Sequence, residues 1–218
     1  MVTFGFSAFL KVLSLNEKPQ LTAIRKRLAP SSDAYDFHRG FRRLAHRYLV
    51  NGEELAHLIA SAETIAQPPE RKSAIAALEL LETWRNNTPG KIINFGSVVF
   101  ESPRHLFRVR FEPDFGILHQ GRPTAIHIWN TKLPKLSLGP TRAALALVAQ
   151  AFQDQQNKPE DVGVLSLREP VATYLLSDSP NPAALSKTLI EYVEEIIRKT
   201  PPGGPPGPAQ PEDRPDAR

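Results

Sequence analysis

Cysteine is missing from all 218 residues, which excludes disulfides, thiolate metal sites and cysteine nucleophiles together. Long apolar runs are missing as well: no stretch approaches the ~20 residues that a membrane-spanning helix needs. The apolar N-terminus, Phe4 to Leu15, is interrupted by Lys11. It has neither a preceding basic cluster nor a small-residue cleavage pattern, so no signal peptide is expected. There is no Gly-x-x-x-x-Gly-Lys phosphate loop and no Gly-x-Ser-x-Gly nucleophile elbow. The six histidines, His38, His46, His57, His105, His119 and His127, show no HxxxH or HExxH spacing, which argues against a zinc site. These absences leave no membrane partner to expect, and a cytoplasmic location fits.

What remains is an ordinary globular composition, 41% hydrophobic and 23% charged, in a chain long enough for one substantial core with a helical extension. The net charge of +4 is unevenly spread. Residues 1–91 carry thirteen Lys/Arg against nine Asp/Glu, and residues 92–142 carry seven against three. Residues 143–200 reverse the sign, five against eight. A basic front two-thirds permits contact with phosphates.

Residues 1–90 read as a helical region. Phe37, Phe41, Leu44 and Tyr48 recur at steps of four, three and four, one helical face, with Asp33 as a cap ahead of them. A second helix is predicted over Gly52 to Ile65. A third, residues 70–86, follows Pro68-Pro69 and stops at Asn86-Asn87 and Pro89-Gly90. The period then changes. Ile92 to Phe100 and Leu106 to Phe111 are rich in β-branched and aromatic residues, and Phe107, Val109 and Phe111 alternate with Arg108, Arg110 and Glu112. Phe115 to His119 and Thr124 to Trp129 flank Gln120-Gly121-Arg122-Pro123, a hairpin signal. Ala143 to Phe152 is apolar almost all round and predicts a helix packed on both sides, with Pro140 near its first turn. Val162 to Leu167 and Ala172 to Leu176 read as strands, and Asn181-Pro182 opens a last helix. The fold class expected is α/β in the α+β sense, residues 91–200 forming a mixed sheet flanked by helices. From Pro201 onward the chain holds seven of its 21 prolines and no large apolar residue. That tail is expected to be disordered, and a protein partner reading polyproline through it is conceivable.

Within 107–132, FRVRFEPDFGILHQGRPTAIHIWNTK, a Pro113-Asp114 pair stands sixteen residues before Asn130-Thr131-Lys132. The order helix (70–86), strands (92–130), helix (140–155), strand (162–167) is similar to the core of the PD-(D/E)XK nuclease superfamily, especially its RecB-like branch. There an aspartate sits in one strand of a hairpin and the next strand ends in an acid, any residue, then lysine. The resemblance implies a restriction-endonuclease-like core with Asp114 and Lys132 as catalytic residues. It also implies a Mg²⁺ site built from Asp114, the residue at 130 and an acid on the preceding helix, Glu79 or Glu82. In such enzymes carboxylates hold the metal, which polarises the scissile phosphate and activates a water, and the lysine stabilises charge. This chain departs from the pattern at Asn130, which offers a carbonyl oxygen and no charge, whereas Mg²⁺ prefers anionic oxygen. A nuclease scaffold with weakened metal binding is therefore expected. Pro113-Asp114-Phe115-Gly116 is also a good turn sequence, Lys132 before Leu133-Pro134 also suits a solvated strand end, and Glu79 and Glu82 also suit a polar helix face.

Arg39, Arg42, Arg43, His46 and Arg47 lie beside the Phe37/Phe41/Leu44/Tyr48 stripe, after Arg25-Lys26-Arg27. Arg42, Arg43 and Arg47, with Arg104, Arg108 and Arg110 nearer Asp114, are the candidate contacts to DNA or RNA. A solvated face is the plain alternative. The leading expectation is a nucleic-acid-binding protein, with phosphodiester cleavage open. The rival is a non-enzymatic interaction protein using helix 140–155 and the proline-rich tail for assembly.

Overall fold

Turn chemistry sets the frame of the computed structural model, which describes residues 1–28 and 37–200. The Asp33 cap and the tail from Pro201 lie outside the described residues. Pro68 and Pro69 occupy the first turn of the 20-residue helix Pro68–Asn87, where a missing N–H costs nothing. Gln120 and Gly121 both adopt positive φ, 49° and 79°, the two-residue turn whose twist matches a hairpin. The Asn181 side chain accepts from the Ala184 N–H and caps helix Pro182–Lys199, again with proline in the first turn.

In chain order the elements are β1 (Val2–Gly5), α1 (Phe6–Leu13), α2 (Glu17–Leu28), α3 (Arg39–Leu49), α4 (Leu55–Glu63), α5 (Pro68–Asn87), β2 (Ile92–Ile93), β3 (Val98–Glu101) and β4 (Phe107–Phe111). They continue with β5 (Phe115–His119), β6 (Arg122–Trp129), α6 (Leu138–Ala151), β7 (Asp161–Ser166), β8 (Ala172–Leu175) and α7 (Pro182–Lys199). The α+β class is as the alternating periods imply. The strands, however, divide into two sheets: β1-β4-β3 and β2-β5-β6-β7-β8. The second sheet is antiparallel except between β6 and β7, which run parallel with α6 as their crossover.

Alternation along the strands explains why the larger sheet is covered on both faces. Ile126 and Ile128 of β6, Phe115 and Ile117 of β5 and Leu165 of β7 join one core with Phe41, Leu44, Leu58, Leu78 and Leu81 from α3, α4 and α5. Ala125, Trp129, Val162 and Val164 point the other way, into a core shared with α1, α6 and the phenylalanines of the smaller sheet. Helix α6 lies inside that second core, with residues 143–148 all buried, as its all-round apolar sequence requires. The N-terminal stretch, expected to be helical throughout, also contributes a strand. β1 pairs in parallel with β4, Val2 opposite Phe107, and α1 packs on α6.

Gly116 lies where β2 crosses β5, and a Cβ there would come 2.6 Å from the Phe95 ring and 2.8 Å from the Ile93 carbonyl. Gly116→Ala is expected to cost about 2 kcal/mol as an overpacked, shifted sheet edge. Chemical denaturation checks this, and a loss below about 0.5 kcal/mol would mean the edge yields freely.

Candidate functional site

Asp114 stands where the chain leaves the smaller sheet for the larger one. Pro113 has no N–H for a ladder, and β5 begins at Phe115. The Asp114 N–H donates to the Ile126 carbonyl at 2.9 Å, while its own Oδ2 accepts from the Ile128 N–H at 2.7 Å. The carboxylate thus replaces a main-chain acceptor that β5 no longer supplies, meeting the demand of a buried N–H. The turn reading of Pro113-Asp114 has physical content here, but it is not the whole account.

Three further groups close on that carboxylate. His127, opposite Asp114 across the hairpin, brings Nδ1 to 2.9 Å from Oδ2; the approach is close, yet not aligned as a linear hydrogen bond. The other ring nitrogen, Nε2, lies 2.8 Å from Ser7 Oγ on α1. Arg42, from α3, donates through Nη2 to the same Ser7 Oγ at 2.8 Å and holds Nε 3.9 Å from Asp114 Oδ1. The imidazole is 5% exposed and the carboxylate 12%, and Phe6 stands edge-on to the ring, centroids 5.2 Å apart. A charge-balanced chain therefore runs Arg42–Ser7–His127–Asp114. The neutral tautomer that lets Ser7 donate to Nε2 leaves a proton on Nδ1, facing Asp114.

Beside this chain, at the carboxyl end of β6, opens a narrow cleft between α1 and α3 with room for about one water. Ser7, His38, Arg42, Asn130 and Thr131 line it. His38 Nε2 lies 3.3 Å from Thr131 Oγ1. Asn130 is 4% exposed; its Nδ2 faces Ser73 of α5 at 3.3 Å, its main-chain oxygen accepts from Arg168, and its Oδ1 is buried with no partner. Burial holds the Arg168 guanidinium below its ordinary pKa.

The residues singled out from sequence separate into three groups. Asp114, Asn130 and Arg42 meet at or directly behind the cleft. Lys132 stands two residues past Asn130, exposed at the end of β6. Glu82 does not join them: it lies on α5 near Tyr48 and Arg85. It is nine residues, ~13 Å at 1.5 Å per residue, beyond the Ser73 turn that touches Asn130. Glu79 is exposed on the same helix. The buried acid of α5 is Glu70, one turn before Ser73 and against Gly40 of α3, where a Cβ would come 2.7 Å from its Oε1. Its place in the first helical turn was the sequence signal that could have marked it. Among the described residues no three His, Asp or Glu side chains are grouped to hold a metal ion. The residues present do not fit a Mg²⁺ centre: Asp114 is engaged by an N–H, an imidazole and a guanidinium, and Asn130 brings no charge.

The candidate phosphate contacts also divide. Arg43, like its neighbour Arg39, is exposed on α3 and makes no ion pair among the described residues. Arg47 is gripped by Glu53 at 2.8 and 2.6 Å, a hydrogen-bonded pair that holds the Glu53 carboxyl below its ordinary range. Arg108 and Arg110 share the outer face of the smaller sheet, bound to Glu101 and Glu112, and Arg104 pairs with Glu194 of α7.

No protein-family model matches the sequence, and no curated protein matches it significantly. Among solved structures the chain is similar to one described as "Crystal structure of SSO0001", at 14% identity over 82% of this chain and 84% of that one, with a TM-score of 0.34. A likeness of that size carries no argument about function.

Proposed function

We propose that this chain binds nucleic-acid phosphates along α3 and at the adjoining cleft, on a nuclease-like core that no longer assembles a metal centre. One observation carries the reading: α3 directs Arg42 into the cleft beside Asp114 while Arg39, Arg43 and His46, spaced four and three apart, stay exposed along the same helix. That spacing sets two arginines and a histidine on one flank of the helix. The order α5, β2, β5, β6, α6, β7, interrupted by β3 and β4 of the smaller sheet, supports the nuclease-like scaffold, as does the position of Asp114 and Asn130 at the open end of the β5–β6 hairpin. The engagement of Asp114 and the neutrality of Asn130 support binding without metal-dependent cleavage. The assembly reading loses its helix, since α6 is enclosed by α1, α7 and strands of both sheets.

Anisotropy with labelled single- and double-stranded DNA and RNA over a KCl series tests this. Wild type is expected to bind with a negative slope of log K against log salt. Replacing Arg39 and Arg43 by Ala should flatten that slope by up to roughly 0.7–0.9 per arginine. An unchanged slope would make α3 a solvated face, and no binding to any of the four probes would sink the proposal.

A further inference from the structure

We infer that Ser7, His127 and Asp114 form a nucleophilic triad that hydrolyses a small acyl ester at the cleft mouth, an activity separate from nucleic-acid binding. Ser7 Oγ lies 2.8 Å from His127 Nε2, and His127 Nδ1 lies 2.9 Å from Asp114 Oδ2. Those distances assign three roles: a hydroxyl in reach of a base, a base, and a carboxylate that fixes the base's tautomer. The three residues come from α1, β6 and the start of β5. The unaligned Nδ1 contact is of a kind that tightens when a ligand closes the site.

Three further features suit chemistry better than mere core satisfaction. Ser7 ends the chain at the cleft lining and is only partly buried, so its hydroxyl is open to the cleft. Arg42 donates to Ser7 Oγ, and Ser7 sits in the first turn of α1, whose N-cap, Gly5, provides no side-chain cap. A guanidinium and first-turn N–H groups together supply donors for an oxyanion formed next to Oγ. Across the cleft, the buried Oδ1 of Asn130 has no partner and needs a donor. A hydrolytic water is such a donor. The enclosed part of the cleft has room for about that one water, so the ester reaches Ser7 from the cleft mouth.

The reaction balances on these atoms. Ser7 Oγ bonds to the ester carbonyl carbon and passes its proton to His127 Nε2. The tetrahedral intermediate then breaks its bond to the leaving oxygen, which takes that proton from Nε2 and departs as an alcohol. A water, held by Asn130 Oδ1, attacks the acyl-serine, gives a proton to Nε2, and releases the carboxylic acid as the proton returns to Ser7. Asp114 acts through His127 and is a positioning residue.

The test uses the full chain with a small alkyl fluorophosphonate, read by intact mass and peptide mapping, and with p-nitrophenyl acetate turnover. Wild type is expected to gain one adduct, at Ser7, with fluoride displaced, and Ser7→Ala to gain none and to turn over the ester no faster than buffer. Asp114→Asn keeps an acceptor for the Ile128 N–H but reverses the demand on Nδ1. It should slow labelling and kcat by about 10³-fold or more with KM little changed. A folded wild type that takes no adduct at Ser7, turnover that survives Ser7→Ala, or Asp114→Asn labelling at the wild-type rate would each overturn the triad. Wild-type labelling decides the matter even if a variant fails to fold. Anisotropy on the same samples reads nucleic-acid binding separately, so either proposal can fail alone.

Discussion

Asp114→Ala is expected to destabilise the chain by about 3 kcal/mol, the scale for removing one partner from a buried charged network. Three groups lose a neighbour together, one of them its hydrogen-bond acceptor. The Ile128 N–H, inside a sheet and shielded from water, has no strand neighbour to replace Oδ2. A buried donor left unmade costs ~1–3 kcal/mol alone. His127, 4% exposed between Phe6 and Phe111, is left facing an empty site with its Nδ1. Arg42 also loses its neighbouring negative charge, although it is one-third exposed and solvent offsets part of that loss. Urea unfolding of wild type, Asp114→Ala and Asp114→Asn checks the argument. The Asn variant should retain most of the stability, because its amide oxygen can still accept from Ile128. If Ala and Asn cost the same small amount, under about 1 kcal/mol, the corner does not depend on this acceptor.

Asn130→Asp is expected to cost about 2–3 kcal/mol at neutral pH. The position is almost closed to water, and an uncompensated buried charge costs ~3–5 kcal/mol. Arg168, already donating to the main-chain oxygen of the same residue, offsets part of that. The sign follows from linkage: burial raises the new carboxyl's folded pKa above its unfolded value, so the penalty fades as pH falls and the acid is protonated. Thermal melts at pH 5 and pH 7 read that difference. Millimolar Mg²⁺ is expected to leave the variant's melting temperature unchanged, because Asp114 remains engaged by Ile128, His127 and Arg42. A rise of several degrees with Mg²⁺ would show that one carboxylate re-arms the site.

Local signals carried much of the fold into the sequence. Gln120-Gly121 located the hairpin because only a positive-φ pair closes it. Pro68-Pro69 and Asn181-Pro182 marked helix starts because the first turn tolerates a missing N–H. The division into two sheets was not legible, since β4 and β5 are three residues apart and nothing local says that Pro113 turns the chain between layers. β1 was hidden for a related reason: a four-residue strand followed at once by a helix shows too few alternations to reveal its period. At the site, Asp114 and Asn130 drew attention through the nuclease resemblance, and in the structure Asn130 lines the cleft with Asp114 behind it. Ser7 could not, being 120 residues from the histidine it meets. His127, flanked by isoleucines, read as a satisfied strand residue, which describes its burial but omits its partners. Arg47, Arg104, Arg108 and Arg110 looked free in a string of letters and are matched to acids in space.

The parallel pairing of β1 with β4 has a consequence for synthesis. The first strand leaves the ribosome well before its hydrogen-bonding partner, which begins only at Phe107. Until β4 and then α6 have emerged, Phe4, Phe6, Phe9 and Leu10 have neither to cover them. Contacts so distant in sequence form slowly, because loop closure precedes any gain from burial. The nascent N-terminal half is thus an adhesive intermediate. A slow-translating message, or a host short of holding chaperones, should therefore lower the soluble yield without any change in the finished protein's stability.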